Sequence, residues 1–189
     1  MNIKSLCLAL VAVFTIGTAG SALAAPITLY SASAPVAICD LCTVTASVDI
    51  TGHARVIDIN ALVDITHSYD ADLVISLSHG GTTVLLANRR GGSGGADYSG
   101  TVFDDQAAVA IGAGYAYAPY AGAFKPEQAL AAFFNQDAFG LWTLTVTDSE
   151  IGDNGVINRF GIAADLPEPG SMALFGLALM GMVSLRRKR

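Results

Sequence analysis

Basic residues are scarce in this sequence, and half of the ten lie near its two ends. Residues 25–166 keep five Lys and Arg against fifteen Asp and Glu, which gives a formal charge near −10. Such a charge repels nucleic-acid phosphates and anionic lipid headgroups. We therefore expect no nucleic-acid partner, and the acidic surface suits either cation binding or solubility alone.

The sequence also lacks the short motifs of common catalytic and phosphate-binding sites. It contains no His-Glu-x-x-His and no continuous EF-hand loop. The glycine-rich stretch 91–95 lacks the Lys-Ser/Thr ending of a phosphate loop, so we interpret it as a mobile loop. The three histidines, His53, His67 and His79, are scattered without metal-ligand spacing, and a hydrogen-bonding role is favoured for His67. The residues thus predict no enzymatic activity.

Only three cysteines are present, and Cys7 falls in the apolar N-terminal stretch. Cys39 and Cys42 remain, with the Cys-x-x-Cys spacing of either a short disulfide or a redox pair. Redox use favours a thiol at a helix N-terminus, whereas the surrounding Val and Ile residues indicate strands. We predict a structural disulfide, with redox or metal use and free thiols as the alternatives.

The N-terminus has the pattern of an export signal. Lys4 precedes an apolar run over residues 6–16, and Ala22 and Ala24 supply the small side chains that a signal peptidase reads. We predict a signal peptide over 1–24 with cleavage before Ala25. An uncleaved anchor is the alternative, although the apolar run is short for a bilayer span.

The C-terminus has a second targeting pattern, over residues 167–189. Its parts are Pro167-Glu168-Pro169, an apolar segment over 170–185, and the basic cluster Arg186, Arg187, Lys188 and Arg189. Together they resemble the PEP-CTERM sorting signal. The resemblance implies a hydrophobic sorting helix transiently in the inner membrane, recognition by an exosortase, and release or attachment at the cell surface or extracellular matrix of a Gram-negative bacterium. A plain tail anchor is the alternative, and we expect no membrane contact outside this segment.

The sequence pattern of the intervening domain, residues 25–166, indicates short β-strands. Apolar and polar residues alternate in several stretches, which is typical of half-buried β-strands. The apolar positions are Ile57, Ile59, Ala61, Val63 and Ile65; Leu73, Ile75 and Leu77; and Trp142, Leu144 and Val146. Gly80-Gly81 predicts a hairpin, the spacing of Ile157 and Phe160 predicts a bulge, and residues 126–134 predict a single helix. The pattern indicates an all-β antiparallel sandwich.

Several motifs in a fixed order resemble the P/Homo B domain of the subtilisin-like proprotein convertases. They are Ile-Thr-His-Ser-Tyr at 65–69, Asp-Leu-Val-Ile-Ser-Leu at 72–77, Arg-Gly-Gly at 90–92, Phe-Asp-Asp at 103–105 and Gly-Leu-Trp-Thr-Leu-Thr-Val-Thr-Asp at 140–148. The resemblance covers residues 57–163. It implies a jelly-roll-like β-sandwich that normally follows a serine endopeptidase domain, and no such domain is recognisable in this sequence.

Two functions follow from this organisation. The first is a non-catalytic surface or matrix module that binds an envelope polysaccharide or a surface protein. The second is an accessory domain that stabilises a separately encoded subtilisin-like serine endopeptidase, as the resemblance implies. Neither requires a catalytic residue in this chain.

Acidic side chains at predicted strand ends form the best candidate site. Carboxylate and amide oxygens are the ligands that Ca²⁺ prefers, and several of these could meet at one rim of a sandwich. The alternative is that they form turns and remain solvated. The candidate calcium ligands are Asp72, Asp104, Asp105, Asp148, Asp153 and Asn154.

Overall fold

The computed structural model of the protein describes residues 26–30, 35–92, 97–113 and 118–165. Ten β-strands lie within these ranges. The predicted signal peptide and the sorting segment 167–189 lie outside these residues. The strands are β1 (Pro26–Tyr30), β2 (Val36–Ile38), β3 (Thr43–Ile50), β4 (Asp58–His67), β5 (Leu73–His79), β6 (Thr82–Asn88), β7 (Tyr98–Phe103), β8 (Gly122–Phe124), β9 (Gly140–Asp148) and β10 (Gly155–Asp165).

The strands form two sheets. One has the order β1-β10-β4-β7-β8, with β2 also paired to β10, and the other has the order β3-β9-β5-β6. All pairs are antiparallel except β7 with β8. The predicted all-β class with two sheets is therefore confirmed, while the jelly-roll topology stays a prediction.

The hydrophobic core contains the alternating residues of β4, β5 and β9. Ile59, Ile65 and Trp142 are almost completely buried, as the period of two predicts. Ile57 is an exception, because it precedes β4 and 46% of it is exposed. The neighbouring Val56 takes the buried position, since its backbone pairs with residues 135 and 136 and turns the chain before the strand begins.

Two predicted irregularities are present. The β4–β10 register shifts between Ile157 and Arg159, and this bulge lets both Ile157 and Phe160 face the core. Gly80 and Gly81 form the hairpin tip between β5 and β6 with φ angles of 56° and 84°, a region that glycine adopts without steric cost.

The helix predicted over 126–134 is wrong in type and length. Only a one-turn 3₁₀ helix, Leu130–Phe133, occurs there. The amides of Glu127 and Gln128 instead donate to the carbonyls of Leu86 and Leu85, so this stretch bends alongside β6 and does not form an α-helix. Within the described ranges no helix is long and apolar enough to cross a membrane.

The register defines two ends of the sandwich. At the end that we call the tail end, Asp58 at the start of β4 pairs with Asp165, after which the chain continues to the sorting segment. At the opposite end, which we call the acidic end, Gly155 pairs with His67. The eleven residues of β10 span about 36 Å, so sites at the two ends are well separated.

Candidate functional site

The acidic end carries four of the six predicted calcium ligands, namely Asp72, Asp148, Asp153 and Asn154. Leu73, the residue after Asp72, pairs with Asp148 across β5 and β9. Burial raises the pKa of Asp72, and the charges of Asp148 and Asp153 raise it further. Asn154 is exposed in the same loop. No group of three or more His, Cys, Asp or Glu side chains within the described part of the chain is arranged to hold a metal. The arrangement of these side chains adds no support for a calcium ion, which stays a prediction.

Asp104 and Asp105 lie elsewhere. They follow β7, whose last residue pairs with Ala61 of β4, and this places them towards the tail end. Asp105 accepts hydrogen bonds of 2.8 Å from the amides of Leu130 and Ala131, and so caps the 3₁₀ helix. Asp104 accepts a bond from the amide of Gln106 at 2.7 Å. Both carboxylates therefore hold loop backbone in place.

The loop contacts at the acidic end fasten its segments to one another. His67 Nε2 lies 3.3 Å from Asp148 Oδ2 with both side chains fully buried, and His67 Nδ1 lies 2.9 Å from the carbonyl of Tyr69. Ser68 donates to Asp153 at 2.5 Å. The two contacts of its ring give His67 the predicted hydrogen-bonding role.

The predicted disulfide is present at the same end. Cys39 and Cys42 are joined at an S–S distance of 2.06 Å and close a four-residue turn. Asp40 in that turn accepts a hydrogen bond from the amide of Gly152 at 3.1 Å. The turn and the loop after β9 carry two large exposed apolar side chains, Leu41 at 59% and Ile151 at 75%.

Asp70 is a buried carboxyl that no sequence pattern singles out. It is fully buried, and neither of its oxygens makes a hydrogen bond of normal geometry. Burial raises its pKa to about 7, although the amide of Asp97 and the side chain of His67 act in the opposite direction. The hydroxyl of Tyr98 is also buried without a hydrogen bond, and burial raises its pKa as well.

The tail end carries an open cleft of about 320 Å³, which we call the tail-end cleft. Its lining comes from the loop between β3 and β4 and from the loop before β9, which a backbone bridge between Arg55 and Asp137 holds together. The lining residues are His53, Ala54, Arg55, Asn135, Gln136 and Asp137.

An exposed pair of stacked rings lies beside this cleft. The rings of His53 and Phe139 are 4.1 Å apart between centroids and 16° from parallel. His53 Nδ1 lies 2.6 Å from Asp137 Oδ2, while the amides of Ala54 and Phe139 donate to Asp137 Oδ1. The hydrogen bond from His53 is the largest cause of the lowered pKa of Asp137, followed by the amide of Phe139. Sequence reasoning missed this group because its two halves are 84 residues apart.

Comparison with known families accounts for most of the chain. Residues 56–164 match the proprotein convertase P-domain, and residues 165–189 match the PEP-CTERM protein-sorting motif. The second match marks an exported protein that an exosortase sorts. No curated protein gives a significant match.

Two similar solved structures are both serine proteases of Aeromonas sobria. The complex of that protease with its chaperone ORF2 has 15% sequence identity and a TM-score of 0.47, and covers 78% of this chain. The protease alone has 15% identity and a TM-score of 0.45, and covers 75%. This chain spans only 28% and 27% of the two longer chains. On the match over residues 56–164, the chain belongs to the proprotein convertase P-domain family.

Proposed function

We propose that this protein is a non-catalytic binding module of the cell surface or matrix, and that its tail-end cleft holds an envelope polysaccharide. The observation that carries the proposal is the exposed ring pair of His53 and Phe139 beside a polar cleft. The apolar face of a sugar ring packs on exposed aromatic rings, while its hydroxyls hydrogen-bond to planar polar side chains. Arg55, Asn135 and Asp137 are such side chains.

The composition of the cleft supports binding without catalysis. A His–Asp pair forms a triad of the serine-hydrolase type only where a Ser, Thr or Cys lies within hydrogen-bond reach of the ring. None of the six residues that line the tail-end cleft is of these types. In this arrangement Asp137 fixes the ring of His53 against Phe139 and so gives the ring pair a defined orientation.

The position of the cleft fits an envelope partner. The chain leaves β10 at the tail end towards the sorting segment, as the pairing of Asp165 with Asp58 requires. A module attached through its C-terminal region would therefore hold this cleft next to its attachment point. Polysaccharide at the cell surface is the material that the cleft would meet first.

The test is co-sedimentation of the exported, purified protein with polysaccharide isolated from the producing cells. We expect the wild type to sediment with the polysaccharide and Phe139→Ala to remain in solution. Ile151→Ala is the matched control, because it also removes an exposed apolar side chain but at the acidic end. If wild type and Phe139→Ala sediment equally, or neither sediments, the proposal is wrong.

The second candidate is an accessory role for a separately encoded subtilisin-like peptidase. The exposed Leu41 and Ile151 at the acidic end favour it, because adjacent exposed apolar side chains are a feature of protein contact surfaces. Mixing with such a peptidase should raise its melting temperature, and Leu41→Ser should reduce this effect. No change in the melting temperature of the peptidase would rule this role out.

A further inference from the structure

We infer that the tail-end cleft binds a carboxylate-bearing sugar, such as a uronic acid residue of an acidic polysaccharide. The inference rests on the proposed function and adds the charge of the ligand. Its basis is a difference among the hydrogen-bonding groups of the cleft. Some already have partners within the protein, and others remain accessible to a ligand.

Arg55 is the first open group. Its guanidinium has no hydrogen bond or ion pair with any of the described residues, and the residue is exposed. Two other arginines of the domain are paired, Arg89 with Glu150 at 2.6 Å and Arg90 with Glu127. An unpaired guanidinium in a domain of formal charge near −10 is therefore available to an anionic group that enters the cleft.

The acidic group of the cleft, in contrast, is already satisfied. Asp137 accepts the two backbone amides of Ala54 and Phe139 on one oxygen and the ring of His53 on the other. Because Nδ1 of His53 is engaged, only Nε2 of that ring remains for a ligand. These hydrogen bonds stabilise the ionised carboxylate of Asp137, and because 54% of this side chain is exposed, solvent and salt screen its repulsion of an anionic ligand.

The two amide side chains of the cleft also differ in whether their hydrogens already have acceptors. Gln136 Nε2 donates to Thr82 Oγ1 at 2.9 Å and to the carbonyl of Ala132 at 3.0 Å, which uses both of its hydrogens. Asn135 is exposed, and its side chain has no hydrogen bond within the described ranges. The donors left for an anionic ligand are therefore the cation of Arg55 and the amide of Asn135, and one nitrogen of His53 is also open.

This set of open groups selects a carboxylate on a sugar ring. A planar guanidinium binds a carboxylate through two parallel charge-assisted hydrogen bonds, whereas a neutral sugar offers only uncharged hydroxyl acceptors. The ring pair of His53 and Phe139 adds a flat surface for the sugar itself. Charge and stacking together distinguish a uronate from both a neutral sugar and a simple carboxylate.

The experiment measures binding of the exported protein to three immobilised polymers by biolayer interferometry. Polygalacturonate carries carboxylates on sugar rings, dextran has sugar rings without charge, and polyglutamate has carboxylates without sugar rings. We expect polygalacturonate to bind about tenfold or more tightly than either of the others, with an affinity that falls as salt rises. Arg55→Gln should lose that preference, and the matched control Arg89→Gln at the acidic end should keep it.

The outcomes separate this inference from the proposed function. Equal binding to dextran and polygalacturonate, unchanged in Arg55→Gln, would overturn the carboxylate preference and leave polysaccharide binding intact. Equal binding to polyglutamate and polygalacturonate would show that charge attraction alone explains the affinity, and it would overturn the requirement for a sugar ring. Absence of binding to all three, together with absence of sedimentation with native polysaccharide, would overturn both. Circular dichroism of each variant checks that it is folded.

Discussion

The ring of His79 lies flat against the indole of Trp142, with centroids 4.0 Å apart and planes within 3°. Its two nitrogens face two backbone carbonyls, Nδ1 to Leu141 at 3.0 Å and Nε2 to Asp137 at 2.7 Å. His79 thus connects the β5–β6 hairpin tip to the segment that carries Asp137 and Phe139. It is buried, and it holds the backbone of Asp137 at the edge of the tail-end cleft.

His79→Phe should therefore weaken both stability and binding. The ring stack can persist, but the carbonyls of Leu141 and Asp137 lose the hydrogen bonding of the imidazole ring, and we expect a loss of about 1–3 kcal/mol in the free energy of unfolding. Urea denaturation measures this loss, and co-sedimentation with envelope polysaccharide should also fall as Phe139 loses support. Ser78→Ala, whose 3.5 Å contact with the carbonyl of Thr143 is long, is the control. An unchanged urea midpoint in His79→Phe would contradict the role.

Asp70 should make the protein less stable as the pH rises towards neutrality. Its folded-state pKa is about 7 against an ordinary value of 3.8, so its stabilising contribution is complete below about pH 4 and is lost as the pH rises through 7. Asp70→Asn removes the ionisation. We expect the variant to exceed the wild type in unfolding free energy by on the order of 1–4 kcal/mol at pH 8, and by much less at pH 4.5.

The check is chemical denaturation of both proteins at several pH values between 4.5 and 8. The wild-type free energy of unfolding includes a smaller contribution of the same sign from Asp72, whose pKa is also raised. The difference between wild type and Asp70→Asn cancels that contribution. A difference that does not change with pH would show that Asp70 is ionised in the folded protein throughout this range.

Local sequence patterns predicted the strands but not the cleft. The alternation of apolar residues identified β4, β5 and β9, because burial of one face of a strand produces a period of two. Ile57 fits the alternation but lies outside β4, since the pairing of Val56 with residues 135 and 136 is a long-range contact. The same pairing brings His53 to Asp137, and no local pattern records such contacts.

The predicted set of calcium ligands combined residues from both ends of the sandwich for a related reason. Asp104 follows β7 and Asp148 ends β9, yet the strand register places them at opposite ends of the sandwich. Asp70, between a tyrosine and an alanine, has no sequence feature that distinguishes it from a turn residue. Its burial depends on the packing of its loop against Gly91, where an added Cβ would lie 2.7 Å from Asp70 Cβ.

Gly155→Ala should destabilise the acidic end strongly. A Cβ at this position would lie 2.2 Å from the carbonyl oxygen of Thr66 and 2.6 Å from Cδ2 of His67. Because the nearest atom is backbone of the paired strand β4, the two strands must separate, and we expect a loss of about 2 kcal/mol or more in unfolding free energy. Gly52→Ala, with nothing within 4 Å of its added Cβ, is the matched control. Equal melting temperatures of the two variants would contradict the close approach of β4 and β10.

A calcium ion at the acidic end is the last prediction. The charges of Asp148 and Asp153 raise the pKa of Asp72, so a bound cation would offset a repulsion that the folded protein otherwise retains. Calcium at a hundred times its dissociation constant should add about 2.7 kcal/mol to the free energy of unfolding, measured as a higher melting temperature than in chelator. Asp153→Asn should lose this rise, whereas Asp104→Asn at the tail end should keep it. Identical melting of the wild type in calcium and chelator would leave these carboxylates with hydrogen-bonding roles alone.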